Sequence, residues 1–211
     1  AASAWAAVAV KEWLVRTNTQ GTVRFYGTPA EEGGSGKVYM VRAGLFNDVD
    51  AVLHWHPSSS NGANAESSNS NKSAKFKFSG ISAHAAGSPD KGRSALDGVE
   101  AMNMMVNMMR EHIPQESRIH YVITKGGLAP NVVPDVAEVY YYVRHPRRQK
   151  VQEIFEWVVK ASEGAAIGTD TKVTHEVMHG NYSKLPNDTL QMVMHKNLVK
   201  RGGIKYSKKE Q

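Results

Sequence analysis

Residues 74–80 read Ala-Lys-Phe-Lys-Phe-Ser-Gly, and residues 136–144 read Val-Ala-Glu-Val-Tyr-Tyr-Tyr-Val-Arg. In the first stretch phenylalanine alternates with lysine, and in the second every other residue from Ala137 to Val143 is apolar or aromatic. A period of two is typical of a strand that buries one face and exposes the other. Each stretch therefore predicts one strand of a sheet that packs against a core on one side.

The segments around these strands complete a βαββαβ order. Helical spacing of apolar residues predicts helices over 94–113 and 147–166, and alternation predicts further strands over 118–125 and 171–179. This order is that of a ferredoxin-like domain, in which two helices cover one face of an antiparallel sheet.

The flanking segments predict strand–helix alternation of an α/β layer. The expected elements are a helix over 1–17, a strand over 22–26, a helix from the glycine-rich turn 33–36 to about 45, a strand over 51–55 and a helix over 188–201. A polar Ser/Asn-rich loop over 58–73 separates the two parts. We predict an α/β fold in which 1–72 and 184–211 form part of a catalytic domain and 73–183 form an inserted ferredoxin-like lid.

Composition limits the chemistry that this chain can perform. The 211 residues include no cysteine, so disulfides and thiolate sites are excluded and a metal must be held by His, Asp or Glu. The net charge of +6 comes from scattered residues, which is typical of solvated surface, and no nucleic-acid partner is expected. No apolar run could span a membrane and no secretion signal is visible, so we expect a cytoplasmic protein. The missing initial Met suggests a fragment.

Two acidic residues and two histidines stand out as candidates. Glu31 and Glu32 follow a predicted strand, so one could bind a metal while the other takes a proton from water. The alternative is a pair of solvated acids at a helix start, favoured by the helix dipole. His54 and His56 share one face at the end of the second predicted strand, where α/β sheets bind ligands.

Four motifs in order resemble the dinuclear metallopeptidases of clan MH, which include aminoacylases, carboxypeptidases and amino-acid amide hydrolases. The motifs are Gly-Thr-Val-Arg-Phe-Tyr-Gly-Thr-Pro-Ala-Glu-Glu-Gly-Gly at 21–34, Asp-Ala-Val-Leu-His-Trp-His-Pro at 50–57, Ser-Ala-His-Ala-Ala at 82–86 and Gly-Leu-Ala-Pro-Asn-Val-Val-Pro at 127–134. The resemblance covers essentially the whole chain, including the inserted lid.

The resemblance implies a site for two divalent metal ions, zinc or manganese. Glu31 would be the general base, and Glu32 and His56 would be metal ligands. His54 lies one strand period before His56 and is expected to pack, or to hydrogen-bond a metal ligand, rather than to bind metal directly. The family's other ligand motifs do not occur in this sequence, so these 211 residues should not assemble a complete site.

The resemblance also implies roles for three lid residues. His84 would reach the active site of a partner subunit and stabilise the oxyanion there, while Asn131 and Arg144 would bind the substrate's carboxylate. A homodimer or a heteromer with a related subunit is therefore expected. The expected reaction is hydrolysis of an amide bond to a carboxylate-bearing amino acid, with p-aminobenzoyl-glutamate, a folate breakdown product, as the favoured substrate.

Three other functions stay open from the sequence. The protein could hydrolyse N-acyl amino acids or dipeptides, or it could be an inactive homologue that serves as a scaffold subunit. RNA-recognition domains also have the βαββαβ order, and Phe76, Phe78 and Tyr121 are aromatic. The strands lack the basic–Gly–aromatic pattern of those domains, which argues against RNA binding.

Overall fold

The computed structural model describes residues 1–210, which divide into two compact units. We call Glu66–Pro186 the insert unit, and Ala1–Ala65 with the chain from Asn187 onward the base unit. In chain order the elements are α1 (Ala2–Thr17), α2 (Gly36–Arg42), β1 (Ser70–Ser79), α3 (Ala95–Met109), β2 (Arg118–Lys125), β3 (Val136–His145), α4 (Arg148–Gly168), β4 (Lys172–Asn181) and α5 (Asp188–Arg201).

The insert unit begins before and ends after the predicted lid at 73–183. Its first strand begins at Ser70, inside the segment that we predicted as a loop. Two hydrogen bonds then tie the entry of the unit to its exit: the Ser67 hydroxyl donates to the Lys184 carbonyl at 2.9 Å, and the Lys184 N–H donates to the Ser68 hydroxyl at 3.0 Å.

The sheet of the insert unit has the strand order β2-β3-β1-β4, and every neighbouring pair is antiparallel. With α3 and α4 packed on it, this arrangement confirms the predicted ferredoxin-like fold. The register places Phe76 opposite Val139 and Phe78 opposite Ala137, so the apolar faces of the two central strands coincide.

The core of the insert unit lies between the sheet and its two helices. Phe76 and Phe78 from β1 and Tyr141 from β3 are fully buried, together with Met102 of α3 and Val158 of α4. Each such side chain contributes about 1.5–3 kcal/mol to folding through the hydrophobic effect. The Tyr141 hydroxyl is satisfied within this core, because it donates to Oδ1 of buried Asn103 at 2.5 Å.

Side-chain caps fix where two of the helices begin. The Ser94 hydroxyl accepts the Asp97 N–H at 3.1 Å at the start of α3, and Asn187 Oδ1 accepts the Leu190 N–H at 3.0 Å at the start of α5. Each cap satisfies a backbone donor that has no partner within its helix. None of the helices described over residues 1–210 is both long and apolar enough to cross a membrane.

In the base unit the helices form as predicted, but the two strands do not. Residues 22–26 and 51–55 have no strand pairing within the described residues, so both strand predictions were wrong. A strand requires a hydrogen-bonded neighbour, and the alternation of a segment cannot supply one. The first segment is held by side chains instead: Arg24 pairs with Asp48 through two hydrogen bonds of 2.6 and 2.5 Å, and the Tyr26 hydroxyl donates to the Leu45 carbonyl.

Candidate active site

Glu31 and Glu32 lie in a tight turn immediately before α2. The turn is closed by the Gly34 N–H, which donates to the Ala30 carbonyl at 3.0 Å, and Ala30 has a left-handed backbone with φ of 54°. Gly34 is required there, because a Cβ would lie 2.5 Å from the Cβ of Ala30. Both carboxylates are exposed, so each can reach a ligand or a water molecule.

The ring of His56 has a defined tautomer. Its Nδ1 lies 2.8 Å from the carbonyl oxygen of Pro57, and because a carbonyl can only accept, Nδ1 carries the proton and donates. In the neutral ring Nε2 then keeps a lone pair. This is the form in which an imidazole binds a divalent metal, with the other nitrogen oriented by a carbonyl.

The base unit offers part of a metal site. Carboxylate oxygens and imidazole nitrogens are donors that zinc and manganese both accept, so Glu32 and His56 fit the chemistry of the predicted ligands. Within residues 1–210, however, three or more His, Asp or Glu side chains nowhere converge closely enough to hold a metal ion. These residues therefore fit the predicted metal ions as single ligands and do not complete a site.

Two loops of the insert unit bring His84 and Asn131 together. The Ala85 N–H donates to the Asn131 carbonyl at 3.0 Å, and the Val133 N–H donates to the Ala83 carbonyl at 2.9 Å. This short ladder pairs the loop after β1 with the loop before β3. His84 and Asn131 are exposed at this end of the sheet, where both can reach a ligand.

The tautomer of His84 is opposite to that of His56. Its Nδ1 accepts the backbone N–H of Gly87 at 2.9 Å and lies 3.3 Å from the N–H of Ala86. The proton of the ring is therefore on Nε2, which points its donor away from the loop backbone. An exposed N–H donor of this kind suits an anionic oxygen.

Arg144 lies near the other end of β3. The loop that carries Asn131 precedes the start of the strand at Val136, and the ten-residue strand ends at His145. At about 3.3 Å per residue, ten residues span roughly 30 Å. The structure therefore does not bring Arg144 to Asn131 and His84 within one chain, although all three were expected to act on one substrate.

Arg144 belongs to a cluster that sequence reasoning missed. Its Nε donates to Nε2 of His120 at 3.2 Å, its guanidinium lies 5.3 Å from the ring centre of Tyr142, and the Tyr142 hydroxyl lies 2.8 Å from Nε2 of His179. Partial desolvation and then the charge of Arg144 lower the pKa of both histidines. The available signal was that His120 and Arg118 share one face of a predicted strand.

Two of the three aromatic residues that raised the RNA-recognition alternative lie in the core of this fold. Phe76 and Phe78 are fully buried under the helices, so neither ring can stack on a base.

Comparison with known proteins agrees with the fold of the insert unit. Residues 67–170 match the peptidase dimerisation domain family. The insert unit is a peptidase dimerisation domain. The ferredoxin-like prediction and the resemblance to metallopeptidases are thereby confirmed, and the cluster around Arg144 lies on the sheet of this dimerisation domain.

Most of the chain is also similar in sequence to two known hydrolases. It is 48% identical to the B subunit of p-aminobenzoyl-glutamate hydrolase from Escherichia coli (strain K12) over 97% of the chain and 43% of that protein. It is 33% identical to Xaa-Arg dipeptidase of Mus musculus over 83% of the chain and 41% of that protein. The chain thus spans about two fifths of the length of these relatives.

A solved structure shares the fold. An aminobenzoyl-glutamate utilization protein from Klebsiella pneumoniae superposes with a TM-score of 0.63 at 24% identity, covering 84% of this chain and 46% of the other. At this identity the match supports the architecture and not the activity.

Proposed function

We propose that the full-length protein is a metal-dependent hydrolase that cleaves p-aminobenzoyl-glutamate to p-aminobenzoate and glutamate. The 48% identity to the B subunit of p-aminobenzoyl-glutamate hydrolase over nearly the whole chain supports the substrate. The observations that carry the chemistry are an exposed Glu31-Glu32 turn and a His56 ring whose Nδ1 donates to the Pro57 carbonyl, so that Nε2 of the neutral ring can bind a metal.

Glu32 and His56 would each hold a metal ion, and the remaining ligands would come from parts of the protein outside these 211 residues. Two divalent ions, zinc or manganese, would supply Lewis-acid activation of water and of the amide carbonyl. Glu31 takes the proton from the attacking water and delivers it to the leaving nitrogen. Its neighbour Glu32 is fixed in the same turn, so one carboxylate can serve as base while the other serves as ligand.

His84 donates from Nε2 to the oxygen of the tetrahedral intermediate, as its tautomer allows. Asn131 and Arg144 bind the carboxylate of the substrate, Arg144 through the two terminal nitrogens of its guanidinium. Since roughly one strand length separates Arg144 from the loops of His84 and Asn131, we infer that each active site takes these groups from two subunits. A dimer joined through the dimerisation domain would provide them.

The partner in that dimer is a second copy or a related chain. The Escherichia coli relatives include both an A and a B subunit of the hydrolase, which favours a heteromer for those proteins. The dimerisation domain of this chain is compatible with either kind of partner. A cytoplasmic location stays a prediction.

A second candidate reaction is hydrolysis of dipeptides. It is favoured by the 33% identity to the Xaa-Arg dipeptidase over 83% of this chain. Both reactions place an amide carbonyl beside an amino acid that bears a carboxylate, so the machinery of Glu31 and His84 would serve either.

The experiment is a substrate panel with the full-length protein loaded with zinc or manganese. Release of glutamate from p-aminobenzoyl-glutamate, lost on chelation and restored by metal, is the expected result. Turnover of dipeptides or N-acetyl amino acids alone would keep the reaction class and reject the substrate. A chain that turns over none of these amides with either metal would be a scaffold subunit.

A further inference from the structure

We propose that His120 and Tyr142 are positioning residues, which orient the guanidinium of Arg144 so that its terminal nitrogens face the substrate's carboxylate. This inference rests on the proposed function, and it makes substrate binding depend on the protonation of His120. The dependence arises because His120 can accept the hydrogen bond from Arg144 only while its imidazole is neutral.

Two contacts orient the guanidinium of Arg144. Nε of Arg144 donates to Nε2 of His120 at 3.2 Å, and the guanidinium carbon lies 5.3 Å from the centre of the Tyr142 ring. Within residues 1–210, neither terminal nitrogen of Arg144 donates a hydrogen bond to the protein. The guanidinium is thus fixed through its inner nitrogen and one face, and its outer edge remains for a bidentate contact with a carboxylate.

His120 and Tyr142, which contact Arg144, are in turn fixed by contacts of the Tyr142 side chain. The ring of Tyr142 meets His120 edge-on at 5.8 Å and His179 at 5.1 Å, and its hydroxyl lies 2.8 Å from Nε2 of His179. His179 is only 8% exposed, so it gives this network a buried end on β4. By register the cluster spans the four strands of the sheet: His120 of β2 lies opposite Tyr142 of β3, Tyr142 lies opposite Ser73 of β1, and Ser73 lies opposite His179 of β4.

The contact between Arg144 and His120 is sensitive to protonation. Nε of Arg144 is a donor, so Nε2 of His120 must be unprotonated, and a proton there would remove the acceptor and place two cations together. The groups that face His120 are Tyr142 and Arg144 from β3, Arg110 from the turn after α3 and Arg118 from its own strand. Desolvation, Arg144 and Arg110 all lower the pKa of His120, which keeps the acceptor available at neutral pH.

The expected effect falls on substrate binding. The carboxylate is equally charged in the ground state and in the transition state, so misplacing Arg144 weakens both by a similar amount. A positioning defect should therefore raise KM and leave kcat nearly unchanged. A defect in folding would instead lower the active fraction and hence kcat.

The first arm of the test measures the contact between Arg144 and His120 through the pKa of His120. The ring of His120 is titrated by NMR in the full-length, metal-loaded protein with labelled histidine, and its signal is assigned from the His120→Gln variant. The pKa of His120 should lie below its usual value and should rise in Arg144→Met, which loses the charge and the donor. An equal pKa in both proteins would overturn the inference.

The second arm measures KM for p-aminobenzoyl-glutamate. His120→Phe keeps a ring but loses the acceptor and should raise KM about tenfold, with kcat changed by less than about twofold. His120→Gln keeps an acceptor that does not titrate, so its KM should match the wild type at neutral pH. As the pH falls from about 7 to about 5, KM should rise in the wild type and not in His120→Gln.

A matched control is His175→Phe, because His175 lies on the helix side of the sheet, where its ring stacks on Phe76 at 5.4 Å. Its KM should not change. Glutamate release with a KM that neither His120→Phe nor Arg144→Met alters would overturn the inference and leave the proposed function standing. If the wild type releases no glutamate, the proposed function fails. The titration of His120 then tests by itself whether His120 accepts a hydrogen bond from Arg144.

Discussion

Two histidines of this protein, His56 and His84, have opposite tautomers that suit different roles. His56 donates from Nδ1 to a carbonyl, which leaves a lone pair on Nε2 of the neutral ring, while His84 accepts at Nδ1 and has its proton on Nε2. The first tautomer suits a metal ligand and the second suits a donor to an anion. Backbone groups within three residues set both tautomers, so a short loop is sufficient to assign the two roles.

His179 should make the stability of the protein depend on pH. Desolvation and Arg144 lower its pKa in the folded state, so the unfolded chain takes up a proton first as the pH falls through the usual histidine range. The stability is therefore present above that range and is lost below it. We expect His179→Gln, which cannot titrate, to show a smaller drop in melting temperature between about pH 7 and about pH 5 than the wild type.

The control is His112→Gln, since His112 is exposed in the turn after α3 and should leave the pH dependence unchanged. Equal drops for wild type and His179→Gln would contradict the assigned environment of His179.

Site residues with a local signature could be predicted, and those defined by strand pairing could not. Glu31, Glu32 and His56 were chosen from short runs of sequence, whose local neighbours also determine their conformation. His120 and His179 carry no such local signature, because their contacts with Arg144 and Tyr142 depend on the register between strands.

At the scale of elements, α3 packs closely on β1 through a glycine. A Cβ at Gly98 would lie 2.4 Å from Cδ1 of Phe78, whose ring is fully buried. Such a gap admits no side chain unless the helix moves away from the sheet. Gly98 therefore sets the distance between these two elements.

Gly98→Ala should destabilise the insert unit by about 1–3 kcal/mol through overpacking. Gly164→Ala in α4 is the matched control, because its Cβ would meet only the side chain of Met105, whose sulfur would lie at an ordinary 3.8 Å. That variant should gain about 0.5–1 kcal/mol from helix propensity. Urea denaturation of both variants provides the measurement, and equal changes would contradict the packing of α3 on β1.

Elements that carry their own periodicity were predictable. The strand over 118–125 has the predicted ends, and α4 differs from prediction by one residue at its start and two at its end. Residues 22–26 and 51–55 have strand composition as well, but no neighbouring segment pairs with them among the described residues. Pairing is a property of two segments, so the pattern of one segment could not decide it.

At the scale of the whole molecule, the length of β3 separates the predicted substrate contacts into two groups. His84 and Asn131 share one pair of loops, while Arg144 lies roughly 30 Å along the strand from them. A single chain cannot apply both groups to one small substrate. Two subunits related by a twofold axis could do so twice, once at each active site.

Mixed dimers test this arrangement. Glu31→Ala and His84→Ala homodimers should each lose activity, because every site lacks one group. In a mixed dimer one site would lack both groups and the other would lack neither, so random mixing should restore about a quarter of wild-type activity. Glutamate release by the mixed sample is the readout. No restoration, despite exchange of subunits shown by mass spectrometry, would place His84 in the active site of its own subunit.

The most direct test of hydrolysis through the Glu31-Glu32 turn is the rate of glutamate release from p-aminobenzoyl-glutamate by full-length, metal-loaded wild type and Glu31→Ala. We predict release by the wild type and a loss of kcat of about 10²–10⁴ in the variant, the contribution typical of a general base. Metal content and melting temperature should not change, because Glu31 is exposed and is not a proposed ligand. Equal rates for the two proteins would contradict the account.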